Sequence, residues 1–177
     1  MHTIEPKNRV SMQLHYEVSQ HYFSEARMLQ NHQYQEWLAQ CVAEDVHLWM
    51  PVIERRYRND RRPEPGPDDM AIYSDDYSEV KQRVDRMYTG TVWMEDPVSS
   101  IRYLLSNIEA FHTDDDSLLK VYSNVAYIRH RQQIERTEHI GCREDVLRRS
   151  DSGFKLVRRK IILDARVTVD KNLYFFG

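Results

Sequence analysis

Glu44-Asp45-Val46-His47-Leu48-Trp49-Met50-Pro51-Val52 is where the chain changes its period. Within this stretch Val46, Leu48, Met50 and Val52 alternate with His47, Trp49 and Pro51, the spacing of a strand with one buried face. Before it, apolar residues recur every three or four positions. Leu14, Val18, Tyr22, Ala26 and Leu29 form one stripe and predict a helix from Ser11. Tyr34, Trp37, Leu38 and Cys41 predict a second helix, packed closely after the first because Asn31-His32-Gln33 is a short connection. Residues 1–10 read as a flexible lead and 11–177 as a single domain.

Beyond the strand, residues 54–75 hold Pro63, Pro65, Gly66 and Pro67 among many charges, the composition of an exposed, irregular excursion suited to docking on another chain. Tyr77, Val80, Val84, Met87 and Tyr88 mark a third amphipathic helix, with Ser74, Asp75 or Asp76 as its cap and Gly90 as its terminator. From Ile101 onward the period is two, around 102–109, 119–131, 137–149 and 154–169, with turns at Asp114-Asp115-Asp116 and Ser150-Asp151-Ser152-Gly153. Helices followed by strands give an α+β fold. Sequential antiparallel pairing is the economical topology, producing a long curved sheet wrapped around the first helix.

With 177 residues the chain can bury the core of one domain, and 41% hydrophobic residues place it among ordinary globular proteins. A net charge of −3 with interspersed signs gives no basic field for nucleic acid or anionic lipid. No apolar run of about eighteen residues is present. Met1-His2-Thr3-Ile4-Glu5-Pro6-Lys7 lacks the apolar core of a signal peptide, so a cytoplasmic protein without a membrane partner is expected. Cys41 and Cys142 allow one disulfide at most, and their apolar neighbours favour buried thiols.

The eight histidines form no helical pair at i, i+3 or i, i+4, and neither cysteine is followed by a histidine two or three residues on, the nearest pair being His139 three residues before Cys142. A Rieske cluster needs two Cys and two His in close pairs, so no such centre is expected on this chain. A mononuclear iron site of two His and one carboxylate assembled from distant residues stays open. His130 and His139 read as hydrogen-bonding groups at a surface or subunit contact. Gly-x-Ser-x-Gly and glycine-rich phosphate loops are absent. The enzymatic alternative is an acid–base pocket inside the curved sheet, with Tyr122, Tyr127 and Asp145 as candidate inward groups of a stand-alone isomerase or dehydratase.

Arginine is dense on the strands, at Arg129, Arg131, Arg136, Arg143, Arg148, Arg149, Arg158 and Arg159, interleaved with Glu135, Glu138, Glu144, Asp145 and Asp164. A solvated face laced with ion pairs and a polar subunit interface explain this equally well. Trp49, opposite the apolar phase of its strand, and Trp93 in Val92-Trp93-Met94 are either interface anchors or local cover for the core. Candidate interface residues are therefore Trp49, Trp93, Arg102, Arg143, Arg158 and Arg159.

Several stretches resemble one family, the β subunits of bacterial Rieske-type aromatic-ring-hydroxylating dioxygenases. They are Tyr34-Gln35-Glu36-Trp37-Leu38, the Glu44 to Val52 stretch, Val92-Trp93-Met94-Glu95-Asp96-Pro97, and Ile101-Arg102-Tyr103-Leu104-Leu105-Ser106-Asn107. Further on come Gly141-Cys142-Arg143-Glu144-Asp145-Val146-Leu147-Arg148-Arg149, Arg158-Arg159-Lys160-Ile161-Ile162-Leu163-Asp164 and Asn172-Leu173-Tyr174-Phe175-Phe176. Tyr103, where many members carry His, and the terminal Gly177 depart from the pattern. The resemblance implies a cone-shaped α+β fold like that of nuclear transport factor two, scytalone dehydratase and ketosteroid isomerase. It also implies a non-catalytic role in a hexamer of three α and three β subunits, with β–β contacts. The α subunit would carry the Rieske [2Fe–2S] cluster and mononuclear iron, take electrons from a ferredoxin or reductase fed by NADH, and convert an arene to a cis-dihydrodiol. Arg61-Arg62-Pro63 and Pro67-Asp68-Asp69 are similar to members acting on biphenyl and polycyclic hydrocarbons.

Overall fold

In the computed structural model, which describes residues 8–53, 56–63, 65–66, 69–90, 97–151, 153–165 and 176, the first apolar stripe becomes α1 (Met12–Gln30). Ser11 starts it: its hydroxyl accepts the Leu14 N–H at 3.2 Å, satisfying one of the donors that a helix leaves unpaired. His32, at φ +58°, turns the chain into α2 (Tyr34–Cys41), which buries Tyr34, Trp37, Leu38 and Cys41. No loop follows. The strand β1 (Val42–Pro51) begins at the next residue, earlier than the alternation alone implies, because Val42 already pairs with Leu156.

The stretch expected to be wholly irregular ends in a strand, β2 (Ala71–Asp76), which pairs antiparallel with β1 from His47↔Asp76 to Met50↔Tyr73. Pro67 and Asp68 lie outside the described residues. Asp76 then caps α3 (Tyr77–Met87). Its carboxylate accepts the Glu79 N–H at 3.0 Å while the Glu79 carboxylate accepts the Asp76 N–H at 2.8 Å, a complete capping box. Gly90, at φ +68°, adopts the left-handed conformation that ends the segment. Asp76→Ala should cost about 1 kcal/mol, read as a lowered urea midpoint at unchanged slope.

The remaining strands are β3 (Ser100–His112), β4 (Leu118–Arg131), β5 (Glu135–Ser150) and β6 (Gly153–Leu163). The sheet order is β2-β1-β6-β5-β4-β3. Sequential antiparallel pairing holds from β3 to β6, whereas β1 joins β6 in parallel. The expected strand over 154–169 ends at Leu163 in the structure, and 166–169 lie outside the described residues. The same holds for residues 1–7 of the expected lead, but Arg9 bridges to Phe111 and the Val10 N–H donates to Ala110 O at 3.2 Å.

Alternation sets the two faces of the sheet. Leu119, Val121, Val125 and Tyr127 of β4 point inward and pack with Leu14, Val18, Tyr22 and Leu29 of α1 in one core. Burying a side chain of this size contributes roughly 1.5–3 kcal/mol, so the interior of the curved sheet carries most of the stabilisation. The opposite face bears Trp49, Lys160, Glu144 and Tyr122 in one cross-strand row, and Leu104, Ala126 and Ile140 in another.

Candidate functional site

Glu25 lies on the same face of α1 as Val18, Tyr22 and Leu29, so the helix carries a carboxylate into the core, where it is 1% exposed. Burial of that charge is tolerable only with partners. β5 contributes Arg143 and Asp145, which share a face because they are two residues apart, and β6 contributes Arg159. Arg159 spans both acids: its Nη1 and Nη2 donate to Glu25 at 2.9 and 3.0 Å, and its Nε and Nη2 to Asp145 at 3.0 and 2.9 Å. Arg143 donates to Glu25 at 3.4 Å, the Trp37 indole N–H to Glu25 at 3.1 Å, and the Tyr22 hydroxyl to Asp145 at 2.7 Å. Two carboxylates meet two guanidinium groups, and the buried cluster is neutral.

This arrangement bears on the acid–base alternative. Burial raises the proton affinity of Glu25, but Arg159 and Arg143 override it and hold the carboxyl below the usual carboxylate range. Burial first, and Asp145 second, push the Tyr22 hydroxyl well above its ordinary value. Burial takes the Cys41 thiol up to about 12, the opposite of what a nucleophile needs. Asp145 does face inward as an acid–base pocket would require, yet its oxygens are committed to Arg159 and Tyr22. Tyr127 is also inward and buried, whereas Tyr122 lies on the outer face. The interior is a closed ionic knot.

The same geometry corrects two of the interface candidates. Arg143 and Arg159 are each 1% exposed and paired within the chain, because inward phase and two buried carboxylates draw them off the surface. Arg129 is likewise buried, donating to Ser99 at 3.0 Å. His139 is buried on the inner face, while His130 is exposed. Arg102 is exposed and donates to Gln30 at 3.0 Å. Trp93 lies outside the described residues.

Trp49 and Arg158 remain on the outer face. They line a groove of about 550 Å³ with His47, Lys120, Glu144 and Lys160. Lys160 sits 5.4 Å from the Trp49 ring centroid and Lys120 4.9 Å from that of Tyr122. Trp49 is only 8% exposed, and its indole N–H meets no acceptor among the described residues.

Residues 24–170 match the family described as ring hydroxylating beta subunit. The chain belongs to that family. This β subunit is 35% identical over 172 residues to the β subunit of benzene 1,2-dioxygenase from Pseudomonas putida strain F1, an alignment covering 94% of this chain and 90% of the relative. Its fold superposes on a chain of naphthalene 1,2-dioxygenase, solved with indole in the active site, at a TM-score of 0.87 and 26% identity, covering 95% and 88% of the two chains. A Novosphingobium aromaticivorans structure described as a scytalone dehydratase shares the fold alone, at a TM-score of 0.62 and 16% identity over 89% and 87% of the chains.

Among the described residues of this β subunit, no group of three or more His, Cys, Asp or Glu is placed to hold a metal ion. No described helix is long and apolar enough to cross a membrane. The residue that sequence reasoning missed is Glu25. Its signal was there: a carboxylate between Tyr22 and Ala26 on an otherwise apolar stripe needs a buried cation.

Proposed function

We propose that this chain is the structural, non-catalytic β subunit of an NADH-dependent dioxygenase that adds O₂ to an aromatic hydrocarbon of biphenyl or polycyclic type, giving a cis-dihydrodiol. The chemistry belongs to an α subunit bearing the Rieske cluster and mononuclear iron, with electrons delivered to it by a ferredoxin or reductase. Three β subunits join three α subunits in the cytoplasm, with β–β contacts. Family membership supports the subunit role, and the naphthalene 1,2-dioxygenase likeness supports a polycyclic substrate beside the benzene dioxygenase relative. The observation that carries the non-catalytic part is the buried cluster, where Glu25 and Asp145 are tied to Arg159, Arg143, Trp37 and Tyr22, so the interior carboxylates that an acid–base pocket would use are committed to ion pairs and hydrogen bonds.

Co-expression with the α chain should yield a mixed complex containing iron and oxidising naphthalene or biphenyl. The β chain purified alone should turn over neither and retain no stoichiometric iron. Full turnover by the α chain without this one, or arene oxidation by this chain alone, would overturn the reading.

A further inference from the structure

The outer face of the sheet pairs a basic groove with an acidic turn elsewhere on the same chain. Lys120, Arg158 and Lys160 point into the groove around Trp49, and among the described residues none of the three forms an ion pair. Among the described residues lining the groove, Glu144 supplies the one opposing carboxylate, since that of Asp145 is turned into the core. The groove therefore carries excess positive charge in a chain whose net charge is −3. Trp49, which lines the groove, is 8% exposed, and its buried indole N–H meets no acceptor among the described residues.

The turn between β3 and β4 supplies the complement. Asp114, Asp115 and Asp116 are consecutive and exposed. Asp115 is held by the Ser117 N–H and hydroxyl at 2.8 and 2.7 Å, which fixes the turn, while the carboxylates of Asp114 and Asp116 have no partner among the described residues. Within one chain the turn does not reach Trp49, although Lys120 at the groove's near rim lies only four residues past Asp116. The turn sits at the β3 edge, while Trp49 lies on β1, three strand spacings or about 14 Å beyond β4.

We propose that the Trp49 groove receives the 114–116 turn of a second copy of this chain. The contact joins two different patches, so it is heterologous, and such contacts close into rings when the rotation permits. It rests on the β-subunit reading above and assigns residues to the β–β contact within that assembly. Charge complementarity of this kind sets register and weakens with salt.

The test uses the α–β complex and the β chain alone, with Arg158→Glu/Lys160→Glu as the groove variant and Asp114→Lys/Asp116→Lys as the turn variant. All four positions are on the surface, and circular dichroism confirms that each variant folds. Each variant should weaken β–β association at least tenfold in sedimentation velocity, and the chain carrying both should restore it. Carbodiimide treatment of mixed ¹⁴N and ¹⁵N chains should give interchain amide links between Lys160 or Lys120 and the 114–116 turn. Unchanged association in both variants, or no rescue by their combination, overturns the proposal. So does a groove variant that loses only the α subunit, which would identify an acidic segment of α as the occupant. A chain that never binds an α subunit in any form would instead sink the β-subunit reading.

Discussion

Glu25→Gln is expected to destabilise the chain by about 3–5 kcal/mol, the cost of leaving a buried charge uncompensated. The replacement is isosteric, so no cavity forms and the packing of α1 on the sheet is preserved. What changes is charge: Arg159 and Arg143 would share Asp145 alone, and the buried cluster would carry a net positive charge. A domain of this size is stable by about 5–15 kcal/mol, so the loss should move the urea midpoint far. Glu25→Leu combined with Arg159→Met leaves Arg143 with Asp145 and restores neutrality, so it should cost less than the single change despite removing more hydrogen bonds. Acid supplies an independent reading. The folded-state pKa of Glu25 is depressed, so its contribution is fully present above the ordinary carboxylate pKa and fades as pH falls through the folded value. The gap between wild type and Glu25→Gln should therefore narrow below about pH 4. A gap constant with pH, or a loss under 1 kcal/mol, would mean that the ionic knot contributes little.

The layers of the fold were legible because period alone declares them. The apolar stripe of α1, the alternation after Glu44 and the long alternating runs after Ile101 each demanded one element type, and helices before strands gave the class. The parallel pairing of β1 with β6 was not legible, since it joins segments more than a hundred residues apart and no turn links them. β2 was hidden because Ala71–Asp76 is a short edge strand with a half-buried alternation, set behind a proline-rich stretch. The arginines show the deeper limit. Arg143 and Arg158 look alike in sequence, yet phase and the partners supplied by α1 send one into the core and leave the other on the groove. Strand phase was readable locally. The β-bulge between Val146 and Leu147, facing Leu156 and Arg158, breaks that phase on β6, so Leu156 and Arg159 share the inner face although they lie three residues apart.

Gly141→Ala should cost about 1–3 kcal/mol and loosen the far end of β6. A Cβ at Gly141 would lie 2.2 Å from the carbonyl oxygen of Ile162 and 3.0 Å from the Leu163 Cα, and these are backbone atoms that cannot rotate aside. Gly141 is required for this close approach, not for an unusual backbone angle. Its strand is paired on both sides, Gly141 with Val125 of β4 and with Leu163 of β6, so β5 has no free edge toward which to shift. The weaker partner must yield. β6 ends at Leu163, two residues past Ile161, whereas β4 continues beyond Val125 to Arg131, so the strain should be relieved by peeling Ile162 and Leu163 away. Amide exchange should then accelerate at Leu163 and at Asp164, whose N–H donates to Ile140 O at 2.8 Å, while protection at Arg159 and Asp145 stays close to wild type. Uniform loss of protection across β4, β5 and β6 would show that the sheet yields as one body, and an unchanged urea midpoint would show that β5 absorbs the methyl group without separating from its neighbour.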